Sequence, residues 1–153
     1  MLANHFEYIE EPLYYYYQHG SSTVHTISEK RCEDRCEAGR LMLDEAERHD
    51  FLDKYRTELE YSFTLLFYVN TLFTYMAGVK RVKYRFVKRL GEEMSCRFPN
   101  FQENPYYLER THAEEKKLIR MQMKSTVLFM VYYKLLWTYR NFRKNMRRHG
   151  GGK

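Results

Sequence analysis

Residues 28–46 read SEKRCEDRCEAGRLMLDEA, and the period of that stretch decides the fold. Cys32, Cys36, Gly39, Leu43 and Ala46 recur at i, i+4, i+7, i+11 and i+14, with Glu, Asp and Arg between them. That is one face of an α-helix, small and apolar residues inward and charges outward. The segments that follow keep the helical period. A second helix is expected from about Asp53 to Met76, with Leu59, Phe63, Leu66, Asn70 and Phe73 as its stripe. Further apolar residues flank that stripe, so this should be the most buried helix. Gly78 allows a break, after which residues 79–95 place Val79, Val82, Phe86, Leu90 and Met94 on one face. Phe98-Pro99-Asn100-Phe101 and Asn104-Pro105 read as loop, since the residue before each proline is pushed out of helix. Thr111-x-x-Glu114 has the form of a capping box, which predicts a last helix from His112 to about Met146. The expected fold class is mainly α, a bundle of about four helices over residues 27–146.

The front of the chain has a different texture. Phe6-Glu7-Tyr8-Ile9 alternates, Glu10-Glu11-Pro12 breaks the pattern, and Leu13-Tyr14-Tyr15-Tyr16-Tyr17 is an aromatic run of strand length. Aromatic residues suit a pleated surface, and proline suits a turn or a strand's first residue. Residues 1–26 are therefore expected to form a short β segment. Two strands alone are marginal in water, so this segment calls for a sheet to join. Residues 147–153, ending in three glycines and Lys153, are expected to be a flexible basic tail.

Composition narrows the class. The chain has 153 residues, 44% hydrophobic and 17% aromatic, which supports a real core and argues against disorder. A charged share of 30% excludes a multi-spanning membrane protein. Three cysteines fit a reducing compartment rather than a disulfide scaffold. No Lys/Arg-led apolar start marks a secretory signal. The net charge of +6 is split: residues 1–60 hold 14 acidic and 7 basic side chains, and residues 61–153 hold 6 and 19.

Few residues form a recognisable site. Cys32 and Cys36 stand one turn apart, but a zinc site needs about four ligands and no second Cys/His pair matches them, so no metal site is expected. Both read as small apolar residues on the core face. His19 and His25 flank Ser21 and Ser22, yet no nucleophile elbow and no orienting acid accompany them. Glu10 and Glu11 are adjacent and point to opposite sides. No catalytic residue is expected in this chain.

The basic back half is more informative. Residues 125–138 are nearly all apolar, interrupted by Lys134, and fall short of the roughly 20 residues that span a bilayer. Arg140, Arg143, Lys144, Arg147 and Arg148 follow. A contiguous apolar run with a cationic block after it favours an anionic membrane surface over nucleic acid, which would want cations and stacking rings interleaved. Membrane contact is assigned to Lys134, Trp137, Arg140, Arg143, Lys144, Arg147 and Arg148. An independent basic helical module, binding membrane surface or nucleic acid, is the other reading.

Two of these stretches also carry a family resemblance. Residues 6–16, FEYIEEPLYYY, followed by Gln18-His19-x-x-Ser22-Thr23, resemble the segment that closes the catalytic domain of bacterial family 2 glycosyltransferases. Glu58-Leu59-Glu60-Tyr61, Val69-Asn70-Thr71-Leu72-Phe73 and Phe98-Pro99-Asn100-Phe101-x-x-Asn104-Pro105-Tyr106-Tyr107 resemble the helical extension of that family in cell-surface polysaccharide synthesis. The resemblance implies that the β segment is the last strand of an α/β catalytic core, and that this chain is a C-terminal portion. It implies a nucleotide-sugar donor, a surface glycan or lipid-linked acceptor, and a divalent cation (Mg or Mn) on an Asp-x-Asp motif. Neither that motif nor the family's general base lies in this chain, so the chain alone is expected to be inactive. His19 matches the loop position near the donor diphosphate, although Gln18 stands where an arginine is usual. The implied location is cytoplasmic, peripheral at the inner face of the plasma membrane.

Overall fold

The computed structural model describes residues 7–12, 14 and 27–149. Among the described residues every regular element is a helix. Glu7–Pro12 and Tyr14 form no regular element. The rest of the expected β segment, His19 included, lies outside the described residues, as do residues 150–153.

Helix α1 (Glu29–Arg48) begins on Ser28, whose hydroxyl accepts from Arg31 N at 3.3 Å. Its buried residues are Cys32, Cys36, Gly39, Leu43 and Ala46, the stripe read from the sequence. The chain turns at Asp50, held at φ 55°, a region that Asp tolerates better than most side chains. A short α2 (Phe51–Lys54) follows. Then α3 (Arg56–Phe63), a π-helical stretch (Thr64–Val69) and α4 (Asn70–Gly78) run on as one rod.

That rod corrects the expected stripe. Leu66 is 45% exposed and Asn70 is exposed, while Phe63, Phe67, Thr71 and Tyr75, and beside them Thr64, Tyr68, Leu72 and Met76, are buried. Both rows step by four. At about 100° per residue, three steps of four would carry a row some 120° round the helix. The π turn holds one extra residue and returns about 100° of that drift. Thr71 backs the widened turn by donating its hydroxyl to Leu66 O at 3.1 Å. At Gly39 an added Cβ would lie 3.0 Å from Phe67 Cβ, so the glycine is what lets α1 lie this close to the π turn.

Helix α5 (Tyr84–Arg97) starts later than expected, because Val79–Lys83 is not helical and Lys83 N donates to the Tyr75 hydroxyl at 3.1 Å. It is bound to α1 by Lys83–Glu29 (2.8 Å), by Arg89–Glu33 and by a fork in which Arg40 Nε and Nη2 each donate to Glu93 at 2.8 Å. A 3₁₀ turn (Phe101–Glu103) leads to α6 (Pro105–Arg110), with Asn104 as N-cap and Pro105 in the first turn. Gln122 on α7 (Ala113–Lys124) is buried and ties three elements together. It accepts from the Tyr68 hydroxyl and donates to Val87 O at 3.0 Å.

Two expectations about the last helix are corrected. Thr111 does not open it: Thr111 is buried and extended, and its N–H donates to Tyr107 O at 3.2 Å, closing α6. His112 takes the N-cap position without a side-chain bond. Nor is the helix continuous. Ser125 is extended (φ −158°, ψ 106°) and separates α7 from α8 (Thr126–His149). Its hydroxyl accepts from Leu128 N at 3.3 Å, so it caps the helix that follows it. Arg140 reaches back to Glu114 in the first turn of α7, which makes α7 and α8 an antiparallel hairpin. Helix α8 is twice the length of α7, and it continues through residues 147–149, expected as tail.

Candidate functional site: the free face of α8

Helix α8 spans 24 residues, about 36 Å. Phe129 and Tyr133 on it are buried, and both lie in its first half. Leu128, Val131, Leu135, Tyr139, Phe142 and Met146 point away from the body, each more than half exposed. At about 100° per residue these six fall within an arc of about 80°. They form a straight apolar stripe along nearly the whole helix.

Cations occupy the rest of the helix surface: at the same step of about 100° per residue Lys134 and Arg143 lie about 80–100° from the middle of the stripe, and Arg140 and Lys144 on the far side of the helix. Lys134, Arg140, Arg143 and Lys144 are exposed, and Arg147 and Arg148 continue the same helix. No acidic residue occurs between Thr126 and His149. Arg140 is paired with Glu114, and that contact raises its pKa further. Among the described residues no carboxylate meets Lys134, Arg143 or Lys144. Trp137 is 42% exposed and stacks on Tyr133, ring centroids 6.2 Å apart. The structure thus brings Lys134, Trp137, Arg140, Arg143 and Lys144 onto one helix, as the sequence suggested. What the sequence reading missed is the stripe. The signal was present in the spacing 128, 131, 135, 139, 142 and 146, hidden inside a run in which nearly every residue is apolar.

An exposed apolar stripe with Lys134 and Arg143 toward its margins can lie in the boundary between water and acyl chains. A bilayer span is a different matter: among the described residues no helix is long and apolar enough to cross a membrane.

A second cluster sits between α3 and α6, in a cleft of about 340 Å³ lined by Glu58, Tyr61, Ser62, Tyr106 and Arg110. The Tyr61 and Tyr106 rings lie 5.8 Å apart, and the Tyr106 hydroxyl donates to Glu58 Oε1 at 3.1 Å. That carboxylate pushes the Tyr106 phenol pKa up. No periodicity or spacing signals that residues 58–62 and 104–110 meet.

Cys32 and Cys36 carry no chemistry here. Burial pushes the Cys36 thiol up to about 12 and raises Cys32 as well, so both stay protonated and inert near neutral pH. Among the described residues no three His, Cys, Asp or Glu side chains are placed to hold a metal ion.

Comparison of the chain with protein-family models, with curated proteins and with solved structures finds no match.

Proposed function

We propose that this chain is the C-terminal, acceptor-side portion of a family 2 glycosyltransferase, and that α8 docks it on an anionic membrane surface. The catalytic partner would be an N-terminal α/β domain whose last strand comes from residues 1–26. That domain would bind the nucleotide-sugar with Mg or Mn, and His19 would lie near the donor diphosphate. The intact enzyme would transfer a sugar to a surface glycan or lipid-linked acceptor at the inner face of the plasma membrane. The chain by itself is proposed to be non-catalytic.

The observation that carries the docking is the exposed stripe from Leu128 to Met146, on a helix that holds cations and no acid. Apolar residues supply burial, and each nearby Lys or Arg adds about 1 kcal/mol against anionic lipid. Pairing of two α8 helices along the stripe would bring Lys134 and Arg143 at its margins toward like charges with no acid on the helix to offset them.

Co-sedimentation with vesicles is the test. Wild-type chain is expected to bind phosphatidylserine-containing vesicles and to leave pure phosphatidylcholine vesicles in solution. Lys134→Ala with Arg143→Ala should weaken the binding about 30-fold, two cations' worth. Indifference to anionic lipid would sink the docking. Tight, salt-sensitive binding to RNA or DNA in its place would establish the other reading, an independent basic module.

A further inference from the structure

We infer that the cleft between α3 and α6 is a carbohydrate site, made for neutral sugar units. Its assignment to the acceptor glycan rests on the glycosyltransferase reading above, while the binding itself does not.

The cleft is built on Asn104, which is buried. Its Oδ1 accepts from Tyr106 N at 3.0 Å and Tyr107 N at 3.4 Å, capping α6. Its Nδ2 donates to Thr57 O at 2.9 Å and to Glu60 Oε1 at 3.2 Å. Every polar atom of that side chain is engaged, so the first turn of α6 is fixed to α3. Tyr107 then packs inward against Phe101, ring centroids 5.6 Å apart. Tyr106, one residue earlier, is half-buried in the cleft beside Tyr61.

The groups left unused at the rim define the ligand. Arg110 lies 4.9 Å over the Tyr106 ring and 5.9 Å from that of Tyr61. Arg110 is exposed, and among the described residues its guanidinium finds no acceptor, so its N–H fork is open to a ligand. Glu58 engages one oxygen with Tyr106 and keeps the other free. The cleft therefore offers two tyrosine rings, a donor-only fork, an acceptor-only carboxylate and the Ser62 hydroxyl.

A sugar matches this set: a C–H face to pack on a ring, and hydroxyls that both donate and accept. An anion would be repelled by Glu58 and Glu60, and a cation by Arg110. Arg110 can yield the more distant Tyr61 ring to the sugar and keep its hold on Tyr106. The rings and the cap are in place before binding, so little ordering opposes it.

The test is NMR titration of the full chain with neutral hexose oligosaccharides of α and β linkage, with inorganic phosphate as control. At least one linkage series is expected to shift the ring signals of Tyr61 and Tyr106, and phosphate neither. Tyr61→Ala and Arg110→Ala should each weaken binding about tenfold or more, with helical circular dichroism unchanged. Tyr106→Phe, which keeps the ring, should cost less than Tyr106→Ala. The site is overturned if no oligosaccharide moves either ring, if the shifts survive Tyr61→Ala and Arg110→Ala, or if phosphate binds as well. Failure here with vesicle binding intact removes this site alone. Sugar binding without vesicle binding removes the membrane docking and leaves the site standing.

Discussion

Helix α1 has 20 residues and α8 has 24, and they dispose of their side chains in opposite ways. Helix α1 turns five small or apolar residues inward and sends Glu29, Glu33 and Arg40 to partners on α5. Helix α8 turns its longest apolar stripe outward, and beyond the Arg140 pair its exposed cations meet no carboxylate among the described residues. The acidic front of the chain is thus partly neutralised inside the molecule, by the cations of α5. A charge split counted along the sequence therefore overstates the negative pole. The first helix spends its side chains on the fold, and the second leaves an apolar face exposed.

Placing the same charge on each helix breaks or sharpens that contrast most strongly. Cys36 is 0% exposed and Leu135 is 66% exposed. Cys36→Asp buries a carboxyl with no partner arranged for it and should cost about 3 kcal/mol or more, a large part of a small domain's stability. Leu135→Asp should change stability by no more than about 0.5 kcal/mol, yet remove binding to anionic vesicles. Urea denaturation with vesicle sedimentation on both variants checks this. Equal destabilisation would mean that α8 is packed much as α1 is.

Next in size is the fork that stitches α1 to α5. Arg40 and Glu93 are part-buried and bidentate, so Arg40→Ala should cost about 1–2 kcal/mol by urea denaturation. The Arg40 hydrogen bonds hold the Glu93 carboxyl below its ordinary value, against the opposing effect of burial. A depressed folded-state pKa gives stability that is complete above the unfolded value, ordinarily near 4.5, and is lost as pH falls through the folded one. Wild type should therefore weaken on acidification below about pH 4.5, and Arg40→Ala should lose part of that slope.

The contrast also shows what a sequence can disclose. Period alone placed all five buried residues of α1, because an unbroken α-helix carries its stripe at fixed spacing. It misplaced Leu66 and Asn70 because one wide turn shifts everything after it, and nothing in TLLFYV marks the extra residue. Thr111 looked like a cap and instead closes the helix before it. A capping pattern does not say which neighbouring helix claims the residue. The cations of α8 were legible as a block because they follow one another along a single helix. The α3–α6 cleft was not, since Asn104 meets Thr57 and Glu60 only through the tertiary fold.

The smallest expected effect concerns the break that makes α8 a separate helix. Nothing between Ala113 and His149 is a proline or a glycine, so local propensity favours one rod over the hairpin. Ser125 supports the break: its N–H ends α7 on Met121 O at 2.8 Å, and its hydroxyl caps α8. Ser125→Ala removes the cap, at a cost of about 1 kcal/mol, and puts the best helix former at the break. Because α7 also holds Leu118, Ile119 and Gln122 in the core, the hairpin should survive, with a slightly lower melting midpoint and unchanged solution dimensions. A fused helix of residues 113–149 would extend about 55 Å and raise the radius of gyration visibly in X-ray scattering. That outcome would show that the cap, rather than burial of α7, folds α8 back and sets which way its apolar stripe faces.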